Sequence, residues 1–231
     1  MSKTISKTTL KFLKDLSLNN NREWFSKNKD IYLKAQLNMS EFVDELIVMM
    51  NKHDVLVATT GKKSLYRIYN DVRFSKDKTP FNARFAFGFQ RATKLRRGGY
   101  YVNIKPGDCY LACGFFAPNP QDLKRIRQDI ELNFKKWNSL LKSKSFVTAF
   151  DGLEGSKVAT APRGFSVDHP AIELLRYKQF IFKKEFCDKE VLSDDFLLKL
   201  SETFKAIRPI FNHLSEVLTT DLNGELIVLR G

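Results

Sequence analysis

Leu10, Leu13 and Leu16 recur at helical spacing near the start of the chain, and Asn19-Asn20-Asn21 ends that pattern. Asn20 or Asn21 is placed to cap a second helix, with Glu23 in its first turn, where an acid complements the helix dipole. From Trp24 onward Phe25, Ile31, Tyr32, Ala35, Met39, Phe42, Leu46, Met49 and Met50 hold a period of about 3.6 residues. This predicts one long helix, or two separated by a kink. Its aromatic and Met stripe reads as core rather than as a cofactor box.

The period then changes to two. Phe85, Phe87 and Phe89 fall on one face of a strand and Ala86 and Gly88 on the other, leaving room for a close neighbour. Arg96-Arg97-Gly98-Gly99 predicts a turn into a strand over 100–104, and Pro106-Gly107-Asp108 another turn into a strand over 109–115. Residues 65–73 are expected to add a strand to this sheet. Asn119-Pro120 caps a helix carrying Leu123, Ile126, Ile130 and Phe134. Residues 150–167 lack a period and predict an ordered loop. Asp168, as a cap, opens a short helix that runs to Leu175, 178–186 alternates as a strand, and 192–219 is helical from Ser193 or Asp194. The fold class is α+β: an antiparallel central sheet, about residues 65–116 plus 178–186, flanked by N-terminal and C-terminal helices. No repeat or linker-like tract divides residues 1–231, so a single domain is expected.

The chain has 231 residues, enough for one substantial core. It has no run of about 18 apolar residues, so no membrane-spanning helix is expected. Met1-Ser-Lys-Thr-Ile-Ser-Lys7 lacks the apolar stretch of a secretory signal. Three cysteines, Cys109, Cys113 and Cys187, form an odd set without disulfide-framework spacing. Together these favour a reducing, cytoplasmic setting. The formal net charge is +13, and it is concentrated. Residues 62–105 hold twelve cations against Asp71 and Asp77, and so carry ten of those charges. A local positive field points to an anionic partner, although a solubilising surface would look the same.

Within that stretch an extended backbone over 67–73 would place Arg67, Tyr69, Asp71 and Arg73 on one face, with Phe74 turned into a core. The turn Ser75-Lys76-Asp77-Lys78-Thr79-Pro80 would bring Lys76 and Lys78 back toward the strand end. One carboxylate cannot neutralise Arg67, Arg73 and Lys78 together, so the group suits phosphate or carboxylate. An ion-pair lattice that stitches strand to loop is the structural alternative.

Other candidates are weaker. Cys109 and Cys113 share a strand face, but no His or Cys cluster accompanies them, and neither a metal nor a cofactor is expected. Asp168-His169 offers an acid beside a base, and Asp71 and His169 are the candidate catalytic residues. His53 and His213 look incidental and exposed. No nucleophile elbow, phosphate loop or dinucleotide fingerprint is present, and whether the protein is an enzyme is not legible.

The run Arg67, Asp71, Arg73-Phe74, Lys78 and Pro80-Phe81 resembles the signature Arg-x-x-Arg-Asp-x-Arg-Phe-x-x-x-Lys-x-Pro-Tyr of an uncharacterised bacterial family, the domain of unknown function 2461 family. Phe12-Leu13, Leu16, Asn19-Asn20, Arg22-Glu23-Trp24-Phe25, Asn28-Lys29 and Tyr32 are similar too. So are Gly98-Gly99-Tyr100-Tyr101, Pro162-Arg163-Gly164-Phe165, Asp168-His169-Pro170, Leu175-Arg176 and Lys178. The chain departs at Asn70, where the signature has Arg, and over 111–116, which stands for a glycine-rich strand. The resemblance implies a class without a chemistry.

The reading that combines these features is binding of, or chemistry on, a small phosphate- or carboxylate-bearing ligand. Arg67, Arg73 and Lys78 would hold it, Asp71 would orient them, and Tyr100, Tyr101 or Arg163 would close the site. The alternatives are a nucleic-acid-binding module stacking bases on Tyr66, Tyr69, Phe81, Tyr100 and Tyr101, or a structural, protein-interaction role. No membrane partner is expected, and the oligomeric state is not legible.

Overall fold

Ser6 begins the first helix, its hydroxyl accepting the Thr9 amide, and α1 runs Lys7–Leu18. Asn21, of the two asparagines expected to cap, does so for α2, Arg22–Lys27, where Glu23 lies in the first turn. The predicted long helix is interrupted once, at Asn28, and resumes as α3, Lys29–Met50. The computed structural model describes residues 4–221 and 225–226. A short helix α4, Gly61–Ser64, precedes strands β1, Phe85–Gln90, β2, Gly99–Ile104, and β3, Cys109–Phe115. Asn119 caps α5, Pro120–Leu132, with Pro120 in its first turn as the sequence requires. Helices α6, Phe134–Leu141, and α7, Lys144–Ala149, lead to β4, Leu153–Glu154, then α8, Ile172–Leu175, and β5, Phe180–Phe186. The remaining helices are α9, Asp188–Val191, α10, Phe196–Ala206, and α11, Arg208–Thr219.

The sheet is antiparallel and open, in the order β1-β2-β3-β5-β4, and the fold is α+β. Alternation sets the faces: Phe85, Phe87 and Phe89 are buried, as are Tyr100, Val102, Ile104, Cys109, Leu111 and Cys113. No helix among the described residues is long and apolar enough to cross a membrane.

The chain divides into two compact units. The first comprises Met1–Gln90, Tyr101–Leu111 and Glu185–Glu202. In it α1 and α4 pack on α3, and α4 also meets β1. Its aromatic core links Phe12, Phe25, Tyr32 and Phe85 through ring contacts, and Phe42 stacks on Phe196 at 5.9 Å. The second comprises Arg91–Tyr100, Ala112–Lys184 and Thr203–Gly231. There α5 packs against α6, α8 and α11 around Ile126, Ile130, Trp137 and Phe211.

Several expectations are corrected. Residues 65–73 form no strand; they touch neighbours through isolated bridges, Leu65 with Phe87 and Tyr69 with Phe81. The backbone beyond Tyr69 is spent closing a loop instead. Phe74 is not in a core but 95 % exposed. The 150–167 segment does contribute β4, which pairs with β5 through Leu153 opposite Phe182. Asp168 caps nothing: Ala171 occupies the α8 cap, and His169 Nδ1 accepts the Ala171 amide at 3.1 Å. The helical stretch 192–219 is broken at Ile207, because Pro209 lacks the amide that would continue the ladder.

His213 is not exposed. It is 6 % accessible, and its Nε2 lies 2.6 Å from Asp129 Oδ2. Trp137 Nε1 donates to the same oxygen at 2.6 Å and Asn133 Nδ2 to Oδ1 at 2.7 Å. His53 is half-buried, with Nε2 3.1 Å from Ser201 Oγ.

Candidate functional site

The signature segment is a self-braced loop. Antiparallel hydrogen bonds close its base: Asn70 N–H donates to Pro80 O at 2.9 Å, and Asn82 N–H to Ile68 O at 2.7 Å. Asn70 also donates its Nδ2 to Thr79 O at 2.9 Å. At the tip, Asp77 Oδ1 accepts both the Thr79 amide at 2.9 Å and its hydroxyl at 2.5 Å. These bonds lower the Asp77 carboxyl below its ordinary pKa. Lys78 Nζ does swing back, to donate to Val72 O at 2.9 Å.

Asp71 and Arg73 form a bidentate pair, Nε to Oδ1 at 2.9 Å and Nη2 to Oδ2 at 2.7 Å. The side-chain bonds from Arg73, then its backbone N–H, and further the Arg67 charge, hold the Asp71 carboxyl below its usual range. The same pairing raises Arg73. Both members are exposed, so the pair is a solvated brace rather than a buried lattice. Arg67 is exposed and has neither hydrogen bond nor ion pair among the described residues.

Beside this loop, in the same unit, lies a pocket of about 350 Å³ lined by Arg22, Phe25, Ser26, Lys29, Tyr69, Asn70, Val72, Pro80 and Phe81. Phe25 and Phe81 form its apolar floor, their rings stacked at 4.0 Å and 14°. Tyr69 sits against both, at 5.7 and 5.4 Å. Arg22 opens α2 and Lys29 opens α3, so both cations stand at helix starts on the rim. Neither has a hydrogen-bond or ion-pair partner among the described residues.

The other sequence candidates lie elsewhere. Tyr101, in the first unit, contacts Tyr66 and Tyr110 and accepts a bond from Arg84. Tyr100 and Phe81, offered as base-stacking residues, are core side chains, 2 % and 4 % exposed. In the second unit, Arg163 is an exposed loop residue with no hydrogen bond among the described residues, and His169 holds its own turn. Arg22, Ser26 and Lys29 were missed as site residues. The available signal, for Arg22 and Lys29 alone, was their place in the N-terminal run that resembles the family.

A family described as conserved hypothetical protein (DUF2461) matches residues 8–213, and the chain belongs to it. No curated protein and no solved structure matches the chain.

Proposed function

We propose that the protein binds a small phosphate- or carboxylate-bearing molecule in the pocket beside the 67–81 loop. The observation that carries this reading is the pair Arg22 and Lys29, two cations without an acidic partner among the described residues, on the rim of a cavity with an aromatic floor. Such a cavity takes the apolar body of a ligand while the rim takes its charge. Arg67, with neither hydrogen bond nor ion pair among the described residues, adds positive charge to the neighbouring loop. Arg73 joins the ligand only by exchanging it for Asp71, and Lys78 by leaving Val72 O. Asp71 thus sets the threshold for recruiting Arg73. Neither Tyr101 nor Arg163 lines this pocket. The three unpaired cysteines favour placing the protein in a reducing compartment, the cytoplasm.

The test is isothermal titration of the full chain with pyrophosphate and with small phosphorylated metabolites. The Arg22→Ala/Lys29→Ala double variant is expected to lose saturable binding while keeping its melting temperature, since neither side chain supports the fold. Unchanged affinity in that variant overturns the reading.

A further inference from the structure

A second group of side chains in the first unit lies outside the pocket. Arg84 immediately precedes β1, and its Nη1 donates to Tyr101 Oη at 3.0 Å and to Asn103 Oδ1 at 3.1 Å. Asn103 is only 1 % exposed, and its Nδ2 donates to Asp108 O at 2.7 Å. The amide is therefore fixed with its oxygen toward Arg84, and the guanidinium is fixed in turn. Arg84 is half-buried, yet it has no carboxylate partner among the described residues. Both bonds use one nitrogen. The Nε–Nη2 edge, which matches a carboxylate or phosphate in bidentate fashion, has no partner among the described residues.

Tyr101, which accepts from Arg84, is the middle one of three neighbouring rings drawn from three segments. Tyr66 lies 6.0 Å from Tyr101 with the planes tilted 34°, and Tyr101 lies 6.0 Å from Tyr110 with a 39° tilt. Tyr66 is 58 % exposed, so one ring is open to stacking. Its amide donates to Ala86 O at 2.8 Å, which anchors the ring beside β1. By strand alternation Ala86 and Gly88 continue the Arg84 face and keep it low. Burial pushes the Tyr101 hydroxyl pKa up, and Tyr101 both accepts from Arg84 and shares a side-chain hydrogen bond with Tyr110. The whole group falls within or beside the 62–105 stretch that carries ten of the thirteen net positive charges.

We infer that Arg84, with Tyr66, Tyr101 and Tyr110, is a binding site for a nucleotide, the phosphate meeting the free guanidinium edge and the base stacking on Tyr66. A lone phosphate would leave the rings unused, and an uncharged ring would leave Arg84 unpaired. The required ligand therefore carries an anionic group and a planar aromatic ring together. It is supplied either as a free nucleotide or as one unit of a single strand. This site shares no residue with the Arg22–Lys29 pocket, so the two proposals stand or fall separately.

The test titrates the full chain with adenosine monophosphate, adenosine, inorganic phosphate and a single-stranded octanucleotide. Adenosine monophosphate is expected to bind at least about tenfold more tightly than adenosine or phosphate. Arg84→Lys, which keeps the charge but removes the bidentate edge, and Tyr66→Ala, at an exposed ring, should each weaken it about tenfold. Melting temperatures establish that both variants are folded, and pyrophosphate binding that depends on Arg22 and Lys29 should survive in each. Tighter binding of the octanucleotide assigns the site to single strands, and equal or weaker binding assigns it to the free nucleotide. Equal affinity for phosphate and adenosine monophosphate, insensitivity to both variants, or no saturable binding overturns the inference.

Discussion

The side-chain amide of Asn20 and the peptide group of Phe81 exchange two hydrogen bonds across 61 residues of sequence. Asn20 Nδ2 donates to Phe81 O at 2.8 Å, and Phe81 N–H donates to Asn20 Oδ1 at 3.2 Å. A side chain thus stands in for a β-strand partner and ties the end of the signature loop to the turn before α2. Asn20→Ala leaves both peptide groups unpaired at a half-buried place and should cost about 1–3 kcal/mol. Asn20→Asp keeps only the acceptor and sets a carboxylate against a carbonyl, so it should cost at least as much at neutral pH. Urea unfolding of the two variants checks both values.

The same loop end is held from below by the Phe25–Phe81 stack, whose rings are each 4 % exposed. Phe25→Ala should destabilise the protein by about 3–5 kcal/mol through lost burial and a cavity. It should also weaken pyrophosphate binding, because the pocket floor and Tyr69 lose their support. Phe25→Leu refills most of the volume and should recover stability more fully than binding. Thermal melting and titration on the same samples separate the two effects.

Local signals were legible and remote ones were not. Asn21 and Asn119 cap as expected because a cap needs only the next three residues, and the 85–89 alternation needs only the pleat. Residues 65–73 carry strand-like alternation, yet a strand needs a neighbour, and only Leu65 and Tyr69 find one. Phe74 followed a period that ended with the loop. Asn70 stood in the same run, but its role in closing the loop onto Thr79 depends on a fold-back no pattern shows. Arg22 and Lys29 gain meaning only once α2 and the loop lie beside each other. Asp129 and His213 are 84 residues apart, so their pairing had no local trace.

Asp71 and Arg73 offer a test of how the loop uses its charges. Both are exposed, so Asp71→Asn should leave the melting temperature nearly unchanged. The substitution weakens the carboxylate competitor for the Arg73 fork, so pyrophosphate affinity should rise, most at low salt. A large fall in stability without a gain in affinity would make the pair a structural brace.

Gly114 in β3 has φ +143°, and a Cβ there would fall 1.9 Å from Phe180 O and 3.1 Å from Ile181 Cα. Backbone, not a flexible side chain, blocks the space. Gly114→Ala should therefore force β3 from β5 and cost about 4 kcal/mol or more. Denaturant unfolding is the check; a variant as stable as the parent would mean that the close approach is not required.

Asp129 predicts an acid transition. Burial alone would push its carboxyl pKa up, but hydrogen bonds from His213, Asn133 and Trp137 outweigh burial and hold it below the ordinary 3.8. A folded pKa below the unfolded one means the unfolded chain takes up the proton first on acidification. The carboxylate's contribution is therefore complete above pH 3.8 and is lost as pH falls from there through the lower folded value. Asp129→Asn should cost about 3 kcal/mol or more at neutral pH, because it removes the charge from a buried hydrogen-bonded cluster. It should also flatten the part of the stability profile below pH 3.8. Unfolding free energies measured by urea from pH 2 to pH 6 decide the matter. Equal slopes for parent and variant below pH 3.8 would show that this carboxylate does not set the acid limit.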